Sequence, residues 1–114
     1  MLSTKRRIKK ASFEKIMKDG LFLYSENYNL RLLDRKDSFP TLFAFVVSIK
    51  VKKTSVGRHL IRRRLTSVVE KQLNNFKTGF SCLIFVKKDI SSLSYEKIQK
   101  EVTELFKKVK ILKE

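Results

Sequence analysis

Four arginines crowd the seven residues Arg58-His59-Leu60-Ile61-Arg62-Arg63-Arg64, and this stretch opens an apolar-periodic run that continues to Phe76. Ile61, Leu65, Val68, Val69, Leu73 and Phe76 recur at three- and four-residue intervals, which predicts a helix starting near Thr54 or Ser55. Cations at a helix start oppose the macrodipole, which favours anions there. The local cost points to compensation by an anionic partner, and the rest of the chain can be read for how it presents the cluster.

Net charge agrees. With 27 Lys and Arg against 11 Asp and Glu in 114 residues, the chain carries +16. Such self-repulsion stabilises no compact fold and directs attention to RNA, DNA or an acidic membrane surface. The plain alternative is that the excess lysine only confers solubility. A hydrophobic fraction of 42% supports a folded core, and the length suits one domain over 1–114. Residues 1–10, with Arg6 and Arg7 among five cations, read as a basic, mobile arm docked at most through Ile8. Cys82 is the only cysteine, so no internal disulfide or cysteine-based zinc site is expected, and a reducing cytoplasm fits. No segment approaches the roughly 18 apolar residues of a membrane span.

Along the chain, Ser12 reads as the cap of a short helix with Phe13, Ile16 and Met17 on one face, and Gly20 as its left-handed terminator. Tyr28, Leu30 and Leu32 alternate with Asn29 and Arg31 as in a half-buried strand. Asp34 to Pro40 is a turn. Leu42 to Ile49, apolar on both faces, reads as a central strand. Lys50, Lys52 and Lys53 add charge just before the arginine helix. Lys77-Thr78-Gly79 then turns into a buried strand, Phe80 to Val86, parallel to the preceding one because a helix joins them. Ser92 or Ser94 caps a last helix with Ile98, Val102, Leu105, Val109 and Leu112 in helical period. The architecture is α+β, a small sheet with helices packed on it.

At about 100° per residue, Arg58, His59, Arg62, Arg63 and Thr66 share an arc of about 140° beside the apolar stripe, and Arg64 points away. Guanidinium forks there suit bidentate phosphate contacts; a basic surface helix without a partner is the alternative. His59, the only histidine, cannot anchor a metal site alone.

These residues resemble the protein subunit of bacterial ribonuclease P. That family has Arg-Asn-Arg-x-Lys-Arg-x-x-Arg at the start of its central helix; Arg58, Arg62 and Arg63 match, while His59, Leu60 and Thr66 stand at its Asn, Arg and Arg. Ser12 to Gly20 resembles the family's first helix, and Leu93-Ser94-Tyr95-Glu96 the beginning of its last. The resemblance implies a four-stranded sheet like the second domain of ribosomal protein S5, with a left-handed βαβ crossover. It implies a protein that binds the catalytic RNA and the 5′ leader of precursor tRNA, one protein per RNA, while the RNA, with Mg2+, cleaves. RNA contacts are expected from Arg58, His59, Arg62, Arg63, Lys50, Lys52, Lys53, Arg6 and Arg7, and a leader groove from Phe13, Met17, Tyr28, Arg31 and Phe43.

Residue chemistry alone points the same way. One histidine and scattered carboxylates form no catalytic or metal-binding constellation. A ribosomal or ribosome-assembly protein is the alternative. A DNA-binding helix-turn-helix is weaker, since no bracing helix precedes the arginine helix.

Overall fold

The structure, a computed structural model, describes residues 7–113; the expected basic arm, Arg6 included, lies outside the described residues up to residue 6. The elements are α1 (Lys10–Asp19), β1 (Leu21–Tyr24), β2 (Tyr28–Asp34), β3 (Leu42–Val46), α2 (Ser55–Glu70), β4 (Phe80–Val86) and α3 (Tyr95–Lys108), with a 3-10 turn at Leu73–Asn75. The sheet order is β1-β2-β4-β3. β2 lies antiparallel to both β1 and β4, while β3 and β4 run parallel across the α2 connection, as expected.

Period-two alternation sorts the side chains into two layers. Tyr28, Leu30 and Leu32, with Phe43, Phe45, Cys82, Ile84 and Val86, face α2 and α3 and form the main core. Phe43, Phe76 and Phe106 meet there, ring centroids 4.8–5.9 Å apart in tilted and edge geometries. On the other face Leu83 packs with Ile8 and Ile16, flanked by Phe13, Leu42, Ala44 and Val46. α1 therefore covers only part of that face.

Several expectations change. β3 is an edge strand, and β4 is central. The apolar run fits both positions, because main core and α1 cover the two faces of β3, and Ile8 N–H donates to the Phe43 carbonyl along its outer edge at 3.3 Å. β3 stops at Val46, and Ile49 is exposed. α2 ends at Glu70 rather than Phe76; Phe76 is extended and bridges Leu112, which lies beyond α3. α1 starts at Lys10 with no side-chain cap, and Gly20 is extended at φ −75°. That glycine is required by close approach, since a Cβ would collide with the Ile16 carbonyl oxygen. Gly79, by contrast, has φ +90°. Finally, β1 has no counterpart in the residue-by-residue reading, because Leu-Phe-Leu-Tyr is too short to show a period.

Tyr28 and Phe43, expected in the leader groove, are each 1% exposed within the main core. Their strand positions share the parity of Leu30 and of Phe45, so they point at the helices. The Tyr28 hydroxyl is buried without a hydrogen-bond partner; burial, and then the charge of Glu101, pushes it above its ordinary titration range. Tyr28→Phe is expected to stabilise the fold by about 1 kcal/mol, the lower end of the cost of an orphaned polar group. Urea unfolding checks this, and a clear destabilisation would show that the hydroxyl has a role.

Candidate nucleic-acid interface

α2 begins where Thr54 caps it, its hydroxyl accepting from Gly57 N–H at 3.1 Å. The arginines that follow diverge. Arg58 Nη1 donates to the carbonyls of Lys52 and Lys53 at 3.0 and 2.9 Å, bracing the β3–α2 loop. Arg64 Nη1 donates to the Ser91 carbonyl at 3.1 Å and so turns toward the loop before α3. His59, Arg62 and Arg63, with Thr66, line a concavity of about 240 Å³ whose other wall is Arg7, Ile8 and the outer edge of β3. The expected arc is thus assembled without Arg58 in its wall, and with Arg7 joining from the chain start.

The lysines before α2 also separate. Lys52 Nζ pairs with Asp89 at 3.0 Å, tying the β3–α2 loop to the β4–α3 loop. The Ser91 hydroxyl and backbone N–H, then Lys52, hold the Asp89 carboxyl down at about 2. Lys53 is exposed. Lys50 stands at a second, larger depression.

That depression, about 540 Å³, lies on the part of the sheet that α1 leaves open. Register explains its membership: Phe22 pairs with Arg31 and Tyr24 with Asn29, and these continue to Leu83 and Phe85 on β4. All share one face. Phe22 and Tyr24 stack at 6.0 Å with 15° between planes. The Arg31 guanidinium sits over the Phe22 ring, 3.4 Å from its centroid, and donates to the Met17 carbonyl at 2.9 Å. Phe22 is 43% and Tyr24 65% exposed. Lys50 and Lys87 add cations at the rim. Exposed rings beside an arginine and two lysines suit a single strand, with bases on the rings and phosphates on the cations.

Of the expected groove residues, the structure brings together Met17 and Arg31. Phe13 is half-buried in the small cluster under α1, and Tyr28 and Phe43 lie on the opposite face. Residue-by-residue reading missed Phe22, Tyr24, Asn29 and Phe85. The signal was available in part: Arg31 fixes the outward parity of β2, which selects Asn29 and excludes Tyr28. Among the described residues, no group of three or more His, Cys, Asp and Glu side chains could hold a metal ion. Nor is any helix among them long and apolar enough to cross a membrane.

Comparison with known proteins adds to this geometry. A family described as Ribonuclease P matches residues 1–110. A relative from Synechocystis sp., named "Ribonuclease P protein component", is 25% identical over 100 residues, covering 88% of this chain and 81% of that protein. The fold is similar to that of RNase P protein from Staphylococcus aureus, with a TM-score of 0.84 at 17% identity over 96% of this chain and 99% of that one. RNase P protein from Thermotoga maritima gives a TM-score of 0.81 at 17% identity, covering 90% and 96% of the two chains.

Proposed function

The chain belongs to the ribonuclease P protein family, the protein subunit of a ribonucleoprotein endoribonuclease in tRNA processing, and from that premise we propose how its surface is divided. The concavity of Arg7, His59, Arg62 and Arg63 takes backbone phosphates of the ribonuclease P RNA, and Lys53, exposed just before α2, adds a further cation. The open sheet face of Phe22, Tyr24, Arg31 and Met17 takes the single-stranded 5′ leader of precursor tRNA, with Lys50 and Lys87 along its phosphates. Phosphodiester hydrolysis belongs to the RNA, which uses Mg2+. One protein serves one RNA, in the cytoplasm.

The observation that carries this reading is the Phe22–Tyr24–Arg31 cluster: stacked, exposed rings and a guanidinium, held together by strand register on a face that α1 only partly covers. A surface of that kind accepts bases of any sequence, because every base has a π-face. The ribosomal alternative is not favoured, since the family match runs over residues 1–110.

The direct test adds purified protein to its cognate ribonuclease P RNA. Leader cleavage is expected at magnesium concentrations where the RNA alone is inactive. No gain at any magnesium concentration would overturn the assignment.

A further inference from the structure

We propose that the far end of the fold carries a second RNA-backbone site, built by Lys77, Lys107, Lys110 and Lys113. The proposal rests on the reading of this chain as an RNA-binding subunit and extends it to a surface remote from both sites above. The four lysines line a concavity of about 830 Å³ whose remaining walls include Gln72 and Thr103 and, among the described residues, no carboxylate.

The site is built from three segments. Lys77 N–H donates to the Ile111 carbonyl at 2.7 Å, and Lys113 N–H to the Asn75 carbonyl at 2.6 Å, which fixes the segment after α3 against the connection between the 3-10 turn and β4. Gln72 Nε2 donates to the Val68 carbonyl at 3.2 Å and to Thr103 Oγ1 at 3.1 Å, joining the end of α2 to α3. The ion pairs between described residues, Arg35–Asp37, Lys52–Asp89 and Lys88–Glu26, include none of the four lysines.

Backbone conformation supplies an independent observation. Among the described residues only Lys36 and Lys110 are non-glycine residues with positive φ, at 55° and 60°. Lys110 follows Val109, the C-cap of α3, at the position where glycine is the usual helix terminator. A side chain in the left-handed region carries a steric cost that glycine avoids. The helix dipole favours Lys107 at this end, but it does not account for Lys77, which arrives from another segment. Nor does it account for a lysine in the strained position.

Lysine ammonium groups are point charges that suit phosphate oxygens rather than the bidentate reading of a base edge. Among the described residues the lining offers no aromatic ring for stacking. Backbone phosphates of a folded RNA fit, and α2 sets the spacing: its last residue, Glu70, lies eleven residues beyond His59, about 17 Å at 1.5 Å per residue, and Gln72 follows just beyond it. One RNA can therefore be held at both ends of the helix.

The test measures affinity of the full-length protein for a transcript of its cognate ribonuclease P RNA across a salt series. The triple variant K107Q/K110Q/K113Q is expected to lower the slope of log K against log salt by about 2 or more, at roughly 0.7–0.9 per lost phosphate contact. K110G, which relieves the strained backbone, is expected to raise the melting temperature while lowering the slope by about 0.7–0.9. A purely structural lysine would not move the two readouts in opposite senses. A native-like triple variant with the wild-type slope overturns the second site, as does K110G with unchanged binding. Failure of the wild-type protein to bind the transcript would overturn the RNA-subunit reading itself, so the two failures are distinguishable.

Discussion

Replacing Phe22 and Tyr24 together by Ala is expected to weaken binding of a precursor tRNA with a 5′ leader by roughly 2–6 kcal/mol, at about 1–3 kcal/mol per stacked base. Binding of mature tRNA, which lacks the leader, is expected to stay as it was. The comparison is made on the assembled protein–RNA complex by measuring both dissociation constants. Tyr24→Ala alone should cost more than Phe22→Ala, because Tyr24 is 65% exposed while Phe22 is 43% exposed and has Arg31 over its ring. Neither ring belongs to the main core cluster, so the fold should survive both changes. Equal losses for the two tRNAs would place the effect outside the leader, and no loss would remove the sheet face from the interface.

How this face is assembled also explains what the sequence could reveal. The arginine helix, its start, and the parallel β3–β4 pair joined by it were legible, because long periodic runs and a strand–helix–strand order carry strong signals. The groove was only half legible. Tyr28 and Arg31 lie three apart on one strand, so they cannot face the same side; alternation selects Arg31 with Asn29 and sends Tyr28 inward. The partner rings come from β1, a four-residue strand whose existence depends on pairing with β2 rather than on its own pattern. Phe43 presents the converse problem. An edge strand covered on both faces has the same apolar sequence as a central one, so its position is decided by Ile8 and α1, not by its composition. Arg58 likewise shares the angular arc of Arg62, but the turn Ser48–Lys52 brings the carbonyls of Lys52 and Lys53 within its reach. No helical wheel contains that loop.

The divergence of the arginines yields the second large effect. Arg62→Ala with Arg63→Ala is expected to lower the slope of log K against log salt for the ribonuclease P RNA by about 1.4–1.8, two phosphate contacts at roughly 0.7–0.9 each. The melting temperature should change little, because no hydrogen bond or ion pair ties either guanidinium to the rest of the described residues. Arg58→Ala should differ in its effect on stability. It removes two donations to the carbonyls of the β3–α2 loop, at about 0.5–1.5 kcal/mol each, and so lowers thermal stability as well as binding. Thr66 provides the complementary measurement, since it lines the same concavity at a position where the family motif carries arginine. Thr66→Arg should steepen the slope by roughly 0.7–0.9 if that wall faces phosphate. A loss of slope with Arg62 and Arg63 removed, together with a gain from Thr66→Arg, would locate the RNA backbone over this one concavity. An unchanged slope in both variants would mean that the arginines at the helix start hold no phosphate.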